Sequence, residues 1–361
     1  MDEIPRIRER IDEIDQKLVL LLKDRYENAR QLGRIKRART IASHDPAREK
    51  IILRRMQKVA ARLDLDPESI LPIFKQIFRF SLQAQQNQSH DHTTGLEGRR
   101  ILVVGGTGGI GRFFANFVSA RGASVKIVGR TVQRTRKIAR EMEVEPGSIS
   151  DTATSDIVIV AVPMDAVAET SIQIASLMPK DGLLTDLSSV KTGIADRISS
   201  RIPEGLEYVS IHPLFGPGID HVMGQNIAAI PFKTGPKWTA FSRTLTRAGA
   251  RIHLMSSEHH DRMMGYVQVL HHFALLSLGV ALRKWSGDLK TNSVRGTLER
   301  TENLLGNWDT TVGIQQLNPY SQAFRKELVR SCAGLVRMSP SDISRVERIL
   351  RSDVQKWSRK L

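Results

Sequence analysis

The chain has 361 residues, 40% of them hydrophobic, with 54 Lys and Arg against 38 Asp and Glu and a formal charge of +16. That length and apolar content exclude a disordered chain and allow two or three domains with real cores. The single cysteine, Cys332, excludes an internal disulfide and a Cys-rich metal site. No stretch reads as the roughly 20 apolar residues that a spanning helix needs, and the N-terminus, MDEIPRIRERIDEID, is charged and lacks an apolar signal core. The expectation is a cytoplasmic protein without a membrane partner. A basic surplus fits nucleic-acid binding, or a basic solvated face that steers anionic metabolites. There is no lysine block or basic stripe with interleaved aromatics, and aromatics are only 5% of the chain. The second reading is preferred, with no nucleic-acid partner.

Residues 1–86 carry helical patterning. Ile7, Ile11, Ile14, Leu18, Leu21, Leu22 and Tyr26 recur at spacings of three and four and make one long amphipathic stripe. His44-Asp45-Pro46 interrupts it and starts a second helix with Pro46 at its first position. Asp66-Pro67-Glu68 repeats that signal before a third helix that runs to about Gln86. Three helices with one very long member cannot bury their stripes alone, so a homodimer through this segment is expected. Residues 87–98, NQSHDHTTGLEG, are polar and aperiodic and are read as a linker.

From Arg100 short β-rich runs alternate with helices. Strands are expected at Ile101–Gly105, Val125–Gly129, Ile157–Val162, Leu183–Asp186 and Tyr208–Ile211, with further runs at Ile227–Pro231 and Arg251–Leu254. Such alternation specifies a parallel sheet with crossover helices. After Ser256 the patterning is helical to Leu361. The organisation is therefore multidomain: an all-α three-helix domain (1–90), an α/β Rossmann domain (99–255) and an all-α C-terminal domain (256–361).

Gly106-Thr107-Gly108-Gly109-Ile110-Gly111 directly follows the first strand and opens a helix. Glycines there permit the tight turn, the close approach of backbone to a pyrophosphate and the packing of helix on strand, and the helix N-terminus faces the phosphates. The second strand ends in Val128-Gly129-Arg130-Thr131, where an NAD site usually has an acid for the ribose hydroxyls. A guanidinium in place of a carboxylate suits a 2′-phosphate, so NADP is expected in preference to NAD. The turn also resembles that of short-chain dehydrogenases, but no tyrosine here has the lysine four residues later which that family needs.

His212, in Tyr208-Val-Ser-Ile-His212-Pro-Leu-Phe-Gly-Pro217, is expected just past the end of a strand, at the carboxyl edge where ligands bind in open α/β sheets. A neutral imidazole there can accept a proton from a substrate hydroxyl. Ser189, in Asp186-Leu-Ser-Ser189-Val-Lys191, ends another strand at the same edge and is expected to orient that imidazole or to cap a helix. His259, His260, Asp261, His271 and His272 look like a metal cluster, but adjacent histidines on one helix diverge and no HExxH spacing is present. No metal is expected, and one of these histidines is read as a pocket residue.

A second set, Arg8, Arg25, Lys36, Asp45, Arg48, Glu49, Ser81 and Gln85, is spread over the three helices. These positions in register, together with DLSSVK, HPLFGP and HDRMMGYVQVLHHFA after a dinucleotide turn, give nearly the whole chain a resemblance to fused chorismate mutase–prephenate dehydrogenases of tyrosine biosynthesis. The resemblance implies that Arg25, and Arg8 from the partner of a dimer, bind the carboxylates of chorismate. It implies that Lys36 and Gln85 hydrogen-bond the ether oxygen, and that Asp45, Arg48, Glu49 and Ser81 complete the pocket. It implies that His212 accepts the hydrogen bond of the prephenate ring hydroxyl, that Ser189 supports His212, that His272 lines the substrate pocket, and that the C-terminal domain (256–361) binds substrate and supplies a second dimer interface. These residue types suit a pericyclic reaction, which needs no nucleophile, only a held conformer and donors aimed at developing charge. The family's substrate-binding Arg, six residues before the Pro of an Asp/Asn-Pro pair, is Gly313 here, ahead of Asn318-Pro319. Arg295, Arg300 and Arg325 are the candidate substitutes, and arogenate is the alternative to prephenate. A different class, a basic helical binding module fused to an NADP-binding redox sensor, would leave the eight scattered residues without a common role.

Overall fold

The computed structural model describes residues 3–39, 45–86, 95–219, 221–289 and 291–358. It divides into two compact units, Met1–His92 and Thr93–Leu361. In the first unit α1 (Glu3–Ala38) is a single helix of 36 residues, about 54 Å long at the usual rise. Asp45 accepts the Arg48 N–H and caps α2 (Pro46–Arg62), as the Asp-Pro signal predicts; His44 lies outside the described residues. Asp66 accepts the Glu68 and Ser69 N–H groups at the start of α3 (Pro67–Gln86) in the same manner.

The buried interior of this unit is small: Ala29, Ala60, Phe78 and Ala84, with Tyr26 against Phe80 at 5.2 Å between ring centroids. A Cβ on Gly33 would stand 2.3 Å from the Gln85 carbonyl oxygen, so glycine is what lets α1 and α3 touch there. The apolar stripe stays open: Ile7, Ile11, Ile14, Leu18 and Leu21 are 57%, 51%, 49%, 51% and 64% exposed.

The second unit is built on an eight-stranded sheet. Its strands are β1 (Arg100–Val104), β2 (Ser124–Val128), β3 (Glu145–Pro146), β4 (Ile157–Val160), β5 (Leu183–Asp186), β6 (Glu207–Pro213), β7 (Asn226–Lys233) and β8 (Arg251–Leu254). The spatial order is β3-β2-β1-β4-β5-β6-β7-β8. All neighbours are parallel except β6 and β7. Crossover helices α4 (Gly109–Ser119), α5 (Val132–Glu141), α6 (Met164–Leu177), α7 (Ala195–Ser199) and α8 (Pro236–Arg247) connect them. Successive residues of β1 feed opposite faces: Ile101 and Val103 join Phe114, Ile127, Ile159 and Phe241, whereas Leu102 and Val104 join Val158, Val160, Ile174 and Tyr208. The inner strands are apolar throughout because both faces are covered.

Three expectations need correction. The sheet is mixed, because β7 returns antiparallel beside β6; a local apolar run carries no record of its direction. The linker reading stops earlier: residues 87–94 lie outside the described residues, and Leu96 is fully buried in the sheet's core. β6 continues to Pro213, so His212 stands inside the strand, paired with Ala228.

The remainder is helical: α9 (Ser257–Met264), a π-turn over Gly265–Leu270, α10 (His271–Ala281), α11 (Asn292–Gly306), α12 (Trp308–Leu317), α13 (Ser321–Val336) and α14 (Pro340–Ser358). The run Ser257–Lys284 is long and apolar enough to cross a membrane by length and composition, which the sequence reading did not register. Its first turns carry the buried polar residues described below.

Candidate active sites

In the helical unit, Arg25 on α1 donates from Nε to Ser81 Oγ at 3.0 Å, and its guanidinium lies 5.8 Å from the Phe78 ring centroid. Ser81 is buried and donates in turn to the Ile77 carbonyl, so the cation's direction is set from α3. Gln85 follows one turn later on the same face, at the Gly33 contact. Lys36 is half-buried near the end of α1, and Arg48 and Glu49 open α2. Asp45 is engaged as the α2 cap. Arg8 is exposed. It lies 17 residues before Arg25, about 26 Å along a straight helix, so it cannot enter the Arg25 pocket of its own protomer.

In the α/β unit the first βα turn has the geometry of a phosphate cradle. Gly105 takes φ +85°. A Cβ on Gly111 would stand 2.3 Å from the Gly105 carbonyl oxygen, one on Gly106 2.7 Å from Ile127 Cβ, and one on Gly109 2.7 Å from Pro217 of the HPLFGP segment. Gly108 is the N-cap of α4 in extended conformation with no side-chain cap. The Gly109, Ile110 and Gly111 N–H groups are the helix's open first-turn donors. Thr107 packs against Gly129 at the end of β2, next to exposed Arg130 and Thr131. A glycine cradle, an uncapped helix N-terminus and a guanidinium at the second strand fit a nicotinamide dinucleotide.

The carboxyl edge of β5 and β6 holds a buried polar network. His212 is 3% exposed. Its Nδ1 lies 3.0 Å from His260 Nε2, and Gln268 of the π-turn approaches its Nε2 at 3.5 Å. His260 Nδ1 is 2.7 Å from Asp261 Oδ1. Asp261 also accepts the Lys191 N–H at 2.9 Å and the Thr192 N–H at 2.7 Å, and Asn318 donates to its carbonyl at 2.9 Å. Ser256 caps α9 through the His259 N–H, which sets His260 and Asp261 in the first turns.

Lys191 is fully buried and donates from Nζ to Ser210 Oγ at 2.6 Å and to the Ile211 carbonyl at 2.8 Å, with Asp186 Oδ1 3.5 Å away. Tyr208 donates to the other Asp186 oxygen at 2.8 Å. This network pins β6 immediately before His212. Burial, then His260 and Lys191, hold the His212 pKa well below the ordinary histidine value, so at neutral pH the ring is an uncharged acceptor. Burial alone would raise Asp261; the His260 donor and the two backbone N–H groups outweigh it and keep the carboxylate ionised. His272, on α10, has a buried Nδ1 without a hydrogen-bond partner among the described residues, and burial lowers its pKa to about 4.

Ser189 is half-buried after β5, and no hydrogen bond joins it to His212, whose two ring nitrogens face His260 and Gln268. The ring contact that the sequence suggests for Ser189 is made by His260 instead, and among the described residues Ser189 caps no helix. A Cβ on Gly313 would stand 2.4 Å from Met164 Cε, so α12 approaches α6 where the resemblance places an arginine. Arg295 and Arg300 are exposed. Arg325 is half-buried and donates to the Gln315 carbonyl at 3.0 Å, while Gln315 donates to Val269 of the π-turn at 2.9 Å. Sequence reasoning missed the joint use of Lys191, His260, Asp261 and Gln268; their signal was three ionisable residues left over inside motifs quoted for other reasons.

Fixed cations over a helical pocket and, in the same chain, a dinucleotide cradle beside a buried neutral histidine define an enzyme with two centres, one of them a nicotinamide-dependent dehydrogenase. Residues 7–86 match the family described as chorismate mutase type II, and residues 114–226 match the prephenate dehydrogenase nucleotide-binding domain. The chain is 27% identical to the T-protein of Enterobacter agglomerans, over 78% of this chain and 71% of that protein. It is 31% identical to a probable arogenate/prephenate dehydrogenase of Methanocaldococcus jannaschii over 53% of this chain, a match that spans only 44% of that relative. The prephenate dehydrogenase of A. aeolicus, solved with hydroxyphenyl propionate and NAD+, shares the fold with a TM-score of 0.59 at 17% identity, covering 73% of this chain and 99% of that one. The chain belongs to the family in which a chorismate mutase domain is fused to a prephenate/arogenate dehydrogenase domain.

Proposed function

We propose that the chain rearranges chorismate to prephenate in its helical unit and oxidatively decarboxylates prephenate to 4-hydroxyphenylpyruvate in its α/β unit, with NADP preferred over NAD. The observation that carries the second half is His212, buried and neutral beside a dinucleotide cradle. In the first half Arg25, aimed by Ser81, binds one carboxylate of chorismate, and Lys36 and Gln85 donate to the ether oxygen as its C–O bond breaks. Arg48, Glu49 and Asp45 close the entrance. Arg8 comes from a partner: its distance from Arg25 and the exposed stripe Ile7–Leu21 both support a homodimer.

In the second half His212 Nε2 accepts the ring hydroxyl proton while Gln268 and His272 border the ring. A nicotinamide bound at this cradle would supply the acceptor for the hydride of the hydroxyl-bearing carbon. His212 returns the proton to the phenolate oxygen once carbon dioxide has left and the ring is aromatic, so no net proton is released. Gly106–Gly111 would hold the pyrophosphate of that cofactor, and Arg130 and Thr131 would bind its adenosine ribose and 2′-phosphate. Arg325, held against Gln315, is assigned to the substrate carboxylate in place of an arginine at Gly313. With glycine at position 313, arogenate, the amino counterpart of prephenate, is the alternative substrate. The enzyme is placed in the cytoplasm, with no membrane or nucleic-acid partner. The positive charge serves anionic substrates, and the apolar run Ser257–Lys284 is a site helix that holds buried His260 and Asp261.

The test is absorbance at the reduced nicotinamide band with chorismate as sole substrate and NADP or NAD in parallel, repeated with prephenate and arogenate. A rise from chorismate requires both centres. Silence with all three substrates overturns the proposal, and a rise with arogenate alone moves the substrate to the amino compound.

A further inference from the structure

We propose that His260 and Asp261 form a positioning relay that holds His212 in the one tautomer able to take the substrate proton, and that His260 shares that proton once it is taken. The inference rests on the dehydrogenase reading and names the residues that make His212 competent.

The tautomers follow by elimination. The Asp261 carboxylate faces the N–H groups of Lys191 and Thr192 and so can only accept. His260 Nδ1, 2.7 Å from Asp261 Oδ1, must then be the donor. In neutral His260 the other nitrogen, Nε2, has only a lone pair. That lone pair lies 3.0 Å from His212 Nδ1, which must therefore carry the hydrogen. His212 Nε2 is left as a bare acceptor, facing the Gln268 amide at 3.5 Å. Backbone donors at Lys191 and Thr192, 70 and 69 residues from Asp261 in sequence, thus determine which face of His212 is basic.

The proton balance is closed. The substrate O–H bond breaks and an N–H bond forms at His212 Nε2. The Nδ1–H of His212 can pass to His260 Nε2, leaving the positive charge on the ring that adjoins the Asp261 carboxylate. Both transfers reverse when the phenolate takes the proton back. The charged and titratable groups around the pair are Asp261 on α9, Lys191 from the loop after β5, and Asp186 and Tyr208 behind Lys191. His260 and Asp261 are both 0% exposed, so the charge is relayed without water.

Protonating His260 from solvent has the opposite effect. Its Nε2 becomes a donor, His212 Nδ1 must accept, and the hydrogen moves to His212 Nε2, where it blocks the substrate. The acid limb of the rate therefore reports the pair as a unit.

The experiment uses the full chain with His260→Gln, His260→Leu and His212→Asn. Glutamine can donate to Asp261 and accept from His212 but cannot take up a proton; leucine can do neither. Histidine-labelled protein is read by nitrogen NMR, and NADPH formation from prephenate is followed across the histidine pH range. Mutase turnover of the same samples reports on the helical unit, and thermal unfolding reports on the α/β unit.

In the wild type and in His260→Gln the hydrogen of His212 is expected on Nδ1; in His260→Leu that preference is lost. His260→Gln is expected to lower kcat about 10- to 100-fold, with KM changed much less, and to move the acid limb to lower pH. His260→Leu loses more than His260→Gln, within the range of about 10²–10⁴ typical of a positioned base. A wild-type kcat and an unmoved limb in His260→Gln, or a hydrogen on His212 Nε2 in the wild type, overturns the relay. A wild type without turnover, or an active His212→Asn, overturns the dehydrogenase reading instead, and the NMR result then stands by itself.

Discussion

Gly108→Ala separates cofactor binding from folding more sharply than any other change in the turn. Gly108 has φ −84° and ψ 163°, a region open to alanine, and a Cβ there meets only the Gly105 carbonyl oxygen, at 3.4 Å. The free protein should tolerate the methyl group, because the gain of about 0.4–1 kcal/mol from a less flexible unfolded chain roughly offsets the poorer N-cap preference of alanine. Gly111→Ala is different, because its Cβ would stand 2.3 Å from a backbone oxygen and the helix must move. In the proposed complex the pyrophosphate lies against Gly108 and is held by first-turn N–H groups. Displacing it loosens at least two charge-assisted hydrogen bonds, each about 1.5–3 kcal/mol. A loss of about 3 kcal/mol is roughly a 100-fold rise in the NADP Kd. The assay is calorimetric titration of NADP into the full chain, with thermal unfolding and mutase turnover as controls. An unchanged Kd for Gly108→Ala, with a normal unfolding profile, would show that the phosphates do not sit at this turn.

The other predictions concern the remaining parts of the two sites. Arg130→Glu should weaken kcat/KM for NADP about 10- to 100-fold, the worth of one charged contact, and leave NAD nearly unchanged; equal losses on both cofactors would remove Arg130 from the 2′-phosphate. Arg25→Ala should reduce mutase turnover about 100-fold or more, by the same reckoning for a carboxylate clamp, while the rate from added prephenate stays at the wild-type value. Lys191→Met should destabilise the α/β unit by about 3–5 kcal/mol, because it leaves the fully buried Asp186 without its cation; chemical denaturation followed by a probe in that unit would measure it, and a change under 1 kcal/mol would contradict a charged pair. His212, His260 and His272 all have folded pKa values below the unfolded value of 6.5. The unfolded state therefore binds more protons below that value, and stability of this unit should be fully present above it and fall as pH drops through it; a melting temperature that rises on acidification would refute this.

The parts legible in the sequence were those with local causes. The Asp-Pro starts of α2 and α3 are capping chemistry confined to four residues, and both appear where the pattern puts them. The glycine turn after β1 is likewise a local backbone requirement, visible as GGTGGIG. The α1 stripe was legible because its period is helical over many turns; that it stays exposed in one chain is a tertiary outcome that the pattern does not specify. What escaped depends on register and tertiary distance. The direction of β7 is set by the connection after Pro213 and the pairing with β6, so the same residues would read alike in either sense. His260 lies 48 residues from His212 in sequence and reaches it only because Ser256 caps α9 at the carboxyl edge of β6. The helical period is itself broken by the π-turn, so Gln268 points at His212 from a register that a 3.6-residue wheel does not give.

The buried network resolves a conflict in the chemistry at His212. In the proposed reaction the base must be neutral beforehand, which burial achieves by disfavouring the imidazolium. The same burial weakens it as a base, because the charge it acquires is then costly. A carboxylate in direct contact would restore basicity but would also hold the ring protonated in the resting enzyme. Placing Asp261 one ring further away, behind His260, avoids both outcomes: the anion is screened from His212 at rest and becomes a direct partner only when the proton moves to His260. Lys191 serves the same balance from the other side. It is tied to Ser210 and the Ile211 carbonyl and paired with Asp186, and its positive field disfavours a second proton on the pair. A site of this construction needs a strand, a loop and a helix start held in register, and the backbone N–H groups of Lys191 and Thr192 on Asp261 provide that connection.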